Sequence, residues 1–331
     1  MKKKMQIILG IAVLLIIGII FFLGLPYYNQ YEFRKNITSN IPGIVCWGDS
    51  LTIGVGGNGT NYPSVLEQLI TENIGEIPVY NLGVGGESSK QIMVRNGSME
   101  LELISDITIP ASKIPVEIKI QLSDGSQAEV LRQGDSGIEE VRLGNIIGSL
   151  SIEQQTIASE NYTYYFTRDT DGRETTIPSG TNIEVVSSKK YKNDIPIIFM
   201  GTNGGWSAID ELIEQIKSII FRQFELGQER YLVLGLTTGT AEEREELENA
   251  MEETFGNRYI NLREYLSTDA MDDANLTPTA EDKKQMEVGS VPESLRSDKI
   301  HLNATGYRLV GELVYKRMND CGYFDYKITV D

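Results

Sequence analysis

The chain has a single histidine, His301, which follows a carboxylate by three positions in Asp298-Lys299-Ile300-His301-Leu302-Asn303. An aspartate and a histidine so spaced on a loop can hydrogen-bond, the carboxylate fixing the imidazole tautomer for general-base work. The same residues also read as surface loop positions, with Asn303 capping the helix that follows. Chemistry that needs imidazole must use His301, and a multi-histidine metal site is impossible. Three further stretches hold candidate groups. Gly48-Asp49-Ser50-Leu51-Thr52 puts Ser50 just after an apolar run, where open α/β sheets bind ligands; Asp and Ser are equally suited to capping a helix there. Asn81-Leu82-Gly83-Val84-Gly85-Gly86-Glu87-Ser88 allows close backbone approach and presents free N–H groups to an anion, or is an ordinary glycine-rich turn. Its spacing is not that of a dinucleotide-binding loop. In Gly201-Thr202-Asn203-Gly204-Gly205, the Asn203 amide could face a developing oxyanion, or serve as a turn residue.

The elements that must position these groups are readable from hydropathy. Short apolar runs at Gly43–Trp47, Pro78–Leu82, Ile195–Met200, Tyr231–Leu236 and Arg258–Leu262 read as buried strands. Helix-like stretches at Pro63–Glu72, Ala208–Glu225, Ala241–Thr254 and Ala304–Asn319 alternate with them. That rhythm predicts an α/β fold with a parallel sheet covered on both faces. Residues 101–192 break it. Alternating runs such as Val116–Ile120 and Tyr162–Thr167, separated by turn signals at Ser123-Asp124-Gly125, Gln133-Gly134-Asp135 and Asp169–Gly172, predict an inserted small antiparallel β module. Residues 267–297, polar and poorly periodic, read as a long loop.

In combination and order, the four stretches resemble the blocks of the SGNH/GDSL hydrolases, a family of serine esterases and acylhydrolases. The resemblance covers roughly residues 43–96 and 194–320. It implies a three-layer flavodoxin-like sheet with Ser50 as nucleophile, His301 as general base and Asp298 orienting it. It also implies an oxyanion hole built from the Ser50 and Gly86 backbone N–H groups and the Asn203 amide, and no metal or organic cofactor. Two departures stand out. Gly86 and Asn203 lie 117 positions apart, a wider gap than the family generally has, and the asparagine block continues with Gly204 where many relatives are acidic. A G-x-S-x-G elbow is missing, which argues against a standard α/β-hydrolase.

Composition bounds the partners. Lys and Arg total 30 against 47 Asp and Glu, a net charge of −17, which repels phosphate backbones and excludes nucleic acid as a natural partner. It also discourages contact with anionic headgroups, leaving an anchor to do the membrane work. Met1-Lys2-Lys3-Lys4 precedes a 19-residue apolar run from Ile7 to Leu25. At the helical rise this spans about 28 Å, close to a bilayer's hydrocarbon thickness. The lysines predict a cytoplasmic N-terminus, and the run is too long for a signal-peptide core and lacks a small-residue cleavage site. The expected organisation is therefore a cytoplasmic end and transmembrane anchor over 1–25, a stalk over 26–41, and a hydrolase domain over 42–100 and 193–331 interrupted by the β module. An extracytoplasmic enzyme so tethered meets cell-wall and surface glycans, so the expected substrate is an O-acyl, above all O-acetyl, ester on carbohydrate. Lipase, lysophospholipase and thioesterase activities are the family's alternatives. Acetyl transfer is disfavoured, since one span offers a cytoplasmic acyl donor no route. A glycan-binding surface protein with a vestigial hydrolase site is the alternative of another class. Cys46 and Cys321 form neither a disulfide framework nor a metal site. Oligomeric state is not encoded in these motifs.

Overall fold

The computed structural model describes residues 41–128, 138–154, 162–225 and 227–325. Five strands form a wholly parallel sheet: β1 (Ile44–Gly48), β2 (Val79–Gly83), β12 (Ile195–Phe199), β13 (Leu232–Leu234) and β14 (Tyr259–Ile260), in the spatial order β14-β13-β12-β1-β2. Among themselves these strands run 2-1-3-4-5, the flavodoxin-like order, whose switch point lies between β1 and its neighbour β12.

Alternation along β1 shows why the sheet is covered twice. Ile44 and Cys46 point into one buried cluster, with Leu66 and Ile70 of α2 (Tyr62–Asn73) and Leu309, Val310 and Val314 of α10 (Ala304–Asp320). Val45 and Trp47 point into another, with Ile92 of α3 (Ser89–Asn96), Leu212 and Ile216 of α5 (Ile209–Glu225) and Leu247 of α6 (Ala241–Phe255). A strand buried on both faces must be apolar throughout, as Ile-Val-Cys-Trp-Gly is. Ser50–Ile53 (α1) and Ser187–Lys190 (α4) are single turns.

Residues 101–185 carry a second set of strands, β3–β11. β5 (Val116–Ile118), β9 (Tyr162–Arg168), β8 (Ile146–Gln154), β7 (Ile138–Leu143), β11 (Asn182–Val185), β3 (Leu101–Leu103) and β6 (Ile120–Leu122) pair antiparallel in that spatial order, and β10 (Thr175–Ile177) and β4 (Ile107–Ile109) form a separate ribbon. Their apolar faces close over a core of their own, including Leu101, Leu122, Val141, Leu150 and Phe166, which Val94 of α3 joins from the α/β side. The turn signal at Gln133-Gly134-Asp135 lies outside the described residues.

The long loop expected over 267–297 is not what forms. Leu262–Thr268 (α7), Ala270–Asp273 (α8), Ala280–Glu287 (α9) and a 3-10 turn at Glu293–Leu295 fill the segment. These turns are too short to show a clear 3.6-residue stripe. Their readable signal is the Thr279/Asp282 capping box, whose side chains and backbones satisfy each other reciprocally. Cys46 and Cys321 are both free thiols, Cys46 fully buried and pushed up to about 12 by that burial. Among the described residues no helix is long and apolar enough to cross a membrane; the expected anchor and the stalk through residue 40 lie outside them.

Candidate active site

Parallel strands bring all their C-terminal ends to one edge, and three of the four candidate stretches begin there. At the end of β1, Gly48 is forced to be glycine by crowding: a Cβ would collide with the Thr52 side chain and lie 2.6 Å from the Phe199 carbonyl. The chain turns at once into α1, with Asp49 as its N-cap, Oδ1 accepting from the Leu51 N–H at 2.9 Å. Ser50 is the first residue of that turn, so its N–H is among those a helix leaves without an internal acceptor.

The fourth stretch reaches the same place from the loop before α10. The Asp298 Oδ1 accepts the backbone N–H groups of Ile300 and His301, both at 2.7 Å, and its Oδ2 lies 2.8 Å from His301 Nδ1. On the far side of the ring, Nε2 is 2.8 Å from the Ser50 Oγ. The amide of His301, its ring and the amide of Ile300 together hold the Asp298 carboxyl down at about 2, so it is a carboxylate at any ordinary pH. A carboxylate on Nδ1 favours the tautomer with hydrogen there, leaving Nε2 free to accept the serine proton. The ring is mostly enclosed while Asp298 is half exposed.

Asn203, following β12, donates its amide to the Glu87 carbonyl at 3.0 Å and to Asp49 Oδ2 at 3.3 Å. Gly86, exposed and left-handed at φ +79°, precedes Glu87 in the loop after β2. Ser50, Asp298 and His301 are thus in direct contact. Asn203 joins them through Asp49, the residue beside Ser50, and Gly86 through its neighbour Glu87, whose carbonyl is Asn203's acceptor.

Sequence reasoning misses what lies beneath. Glu87 is fully buried and receives Arg95 Nε at 2.9 and 2.7 Å on its two oxygens, while Arg95 Nη2 donates to the carbonyls of Leu82 (2.8 Å) and Gly48 (3.2 Å). Arg95 therefore ties the ends of β1 and β2 together. Burial pushes the Glu87 carboxyl up to about 7 against the pull of Arg95, and pushes Asp49 up to about 6 against its hydrogen bond from Leu51. Glu87 and Arg95 are eight apart, a spacing that matches no helical pairing rule. The capping box at Ser88 and Gln91, which starts α3 and points Arg95 inward two turns later, is the only local signal.

Asp282 is missed as well. Buried, it accepts from Ser294 (N–H at 3.0 Å, hydroxyl at 2.7 Å) and from Thr279 (N–H at 2.9 Å, hydroxyl at 2.7 Å). Burial alone would raise its carboxyl, yet these donors hold it at about 2. The Ser294 carbonyl in turn accepts from Asn303 Nδ2 at 2.8 Å, and Asn303 caps α10 just after His301. The segment expected to be a long loop is bonded through Asp282, Ser294 and Asn303 to the chain just after the histidine.

A family model described as GDSL-like lipase/acylhydrolase matches residues 44–314, which includes every group above. No curated protein matches the chain.

Proposed function

Since the chain belongs to the GDSL-like lipase/acylhydrolase family and is an ester-hydrolysing enzyme, we propose that Ser50 is its nucleophile, His301 its general base and Asp298 the group that orients the base. The observation that carries this reading is the continuous contact Asp298–His301–Ser50, with both links at 2.8 Å. In the reaction Ser50 Oγ bonds to the ester carbonyl carbon as its proton passes to His301 Nε2. The carbonyl oxygen becomes the oxyanion, which Ser50 N–H, Gly86 N–H and the Asn203 amide stabilise. Asn203 trades its longer contact, the 3.3 Å one to Asp49, for this task. The C–O bond to the alcohol breaks as His301 returns the proton to the leaving oxygen. Water then attacks the acyl-serine with His301 again as base, releasing the acid and restoring Ser50. No step needs a metal or organic cofactor.

The natural substrate in this reading is an O-acyl ester, above all an O-acetyl ester, on cell-wall or surface carbohydrate, met by a membrane-tethered extracytoplasmic enzyme. The lysine-flanked apolar run over 7–25 supports the tether. One observation favours the lipase or lysophospholipase alternative: Ile53 and Val55, just after Ser50, and Ile300, beside His301, are all exposed aliphatic side chains at the mouth. Turnover of acetylated glycans against a series of acyl-chain lengths separates the two.

The test of the catalytic assignment is a double-mutant cycle. Ser50→Ala, His301→Ala and the double variant each lose about as much kcat, because the serine without its base is a poor nucleophile and the base without the serine has nothing to activate. Asp298→Ala loses less. Near-normal kcat in a folded Ser50→Ala or His301→Ala variant refutes the assignment.

A further inference from the structure

A parallel sheet has two unlike ends. The C-terminal ends of its strands carry Ser50 and its partners. At the opposite end the chain enters the fold through Ile41, which is buried in the core, and passes into β1. The segments leading into β12, β13 and β14 follow one another from that entry: the Ile195 N–H donates to the Gly43 carbonyl at 2.8 Å, Gln228 Nε2 to the Asn193 carbonyl at 2.8 Å, and Arg258 Nη1 to the Glu229 carbonyl at 3.2 Å.

Helix α5 runs back from the catalytic end, so its last turn delivers Phe221 and Phe224 here. They are 60% and 38% exposed, the only exposed phenylalanines among the described residues. They form a continuous group: Phe221 lies edge-on to Phe224 at 6.4 Å, Phe224 packs against Tyr231 at 6.0 Å, and the Arg258 guanidinium sits 4.6 Å from the centre of the Tyr231 ring. Basic side chains accompany the rings: Arg222 follows Phe221, and the Arg258 guanidinium covers Tyr231 with Arg230 beside it in sequence, among the acidic residues Glu225, Glu229, Glu252, Glu253 and Asp320 of the same end.

We propose that this end is a bilayer-facing surface, with Phe221, Phe224 and Tyr231 seated among the headgroups of an anionic membrane and the active-site mouth pointing away from it. Aromatic side chains favour the headgroup level, and basic groups are drawn to anionic lipid within a Debye length. The inference rests on the tethered reading above, and it deepens that reading's choice of substrate. The five residues of β1 alone hold the mouth about 17 Å from this surface. An ester within the same bilayer is out of reach, and one on a polymer standing off the membrane is within it. The aliphatic mouth residues Ile53, Val55 and Ile300 are the competing contact.

The experiment places the full-length chain in vesicles of phosphatidylcholine, with and without phosphatidylglycerol, using lipids brominated high on the acyl chain as quenchers. F221W and, separately, I53W supply the reporter, the signal of Trp47 and Trp206 being subtracted from the unsubstituted chain. Unchanged turnover of a soluble aryl ester shows that F221W keeps its fold. The expected result is that F221W loses fluorescence in brominated vesicles, more so with phosphatidylglycerol, and that I53W does not. Quenching of I53W instead overturns the proposal and turns the mouth toward the membrane. A chain that floats with the vesicles while F221W stays unquenched overturns the proposal alone. A chain that does not float overturns the tether and this proposal with it.

Discussion

Asp49 and Glu87 place two carboxyl groups in the dry interior under the nucleophile, with one guanidinium, Arg95, spent on Glu87. The arrangement costs stability and serves position: Asp49 caps the turn that presents Ser50 and gives Asn203 an acceptor. Raising the Asp49 carboxyl from 3.8 to about 6 means that the folded chain holds this proton more tightly than the unfolded one. Its contribution to stability is therefore fully present below the ordinary carboxylate value and is lost as pH rises through about 6. The loss approaches about 3 kcal/mol above that pH. Asp49→Asn removes the titration. The difference in Tm between variant and parent should move in the variant's favour between pH 4 and pH 8, as measured by calorimetry at both. A difference that is flat with pH would show that Asp49 does not titrate in this range. The variant's kcat falls at every pH, because an asparagine whose oxygen still serves Leu51 turns its own amide hydrogens toward those of Asn203.

At the scale of elements, the segment over 262–295 shows what a sequence does and does not disclose. The five parallel strands are legible because each is a short, largely apolar run bounded by turn residues, although β2, expected to be buried, lies at the sheet's edge and is only half-buried; the four chemical stretches are legible because each sits at a strand end or before a helix. The segment over 262–295 is hidden because its order comes from Asp282, Ser294 and Asn303, side chains brought together across 21 positions with no periodic pattern. The pair Glu87–Arg95 is hidden for the same reason: a buried ion pair is made by packing, and polar residues in sequence look the same whether solvated or enclosed. Asp282→Ala leaves Ser294 and Thr279 without their acceptor and should cost about 3 kcal/mol of stability. At permissive temperature it should lower kcat more than it raises KM, because the loss reaches the reaction through His301. Since the Asp282 carboxyl sits near 2, its contribution is present above about 3.8 and fades as pH falls toward 2. The strands of 101–185 are a separate case, with a core of their own that touches the α/β side at Val94. Replacing that segment by a short linker should spare turnover of an aryl acetate and reduce it on the natural polymer; equal loss on both would make the strands structural support.

The whole molecule is polar in the sense that a parallel sheet always is: chemistry collects where the strands end, and the chain here enters where they begin. If the apolar run over 7–25 spans the bilayer, residues 26–40 have little distance to cover before Ile41 is locked into the core. Fifteen extended residues reach at most about 50 Å, and a relaxed chain much less, so the catalytic domain stays beside the membrane on whichever side it emerges. In the proposed topology that side is the outer one, because the three lysines before the run favour a cytoplasmic N-terminus while acidic residues after it contribute little to orientation. Protease added to intact spheroplasts should therefore remove the catalytic domain and leave a short membrane fragment. A domain that is cut only after lysis would place it in the cytoplasm, where surface glycans are out of reach, and would leave the esterase chemistry of Ser50 and His301 in need of an intracellular substrate.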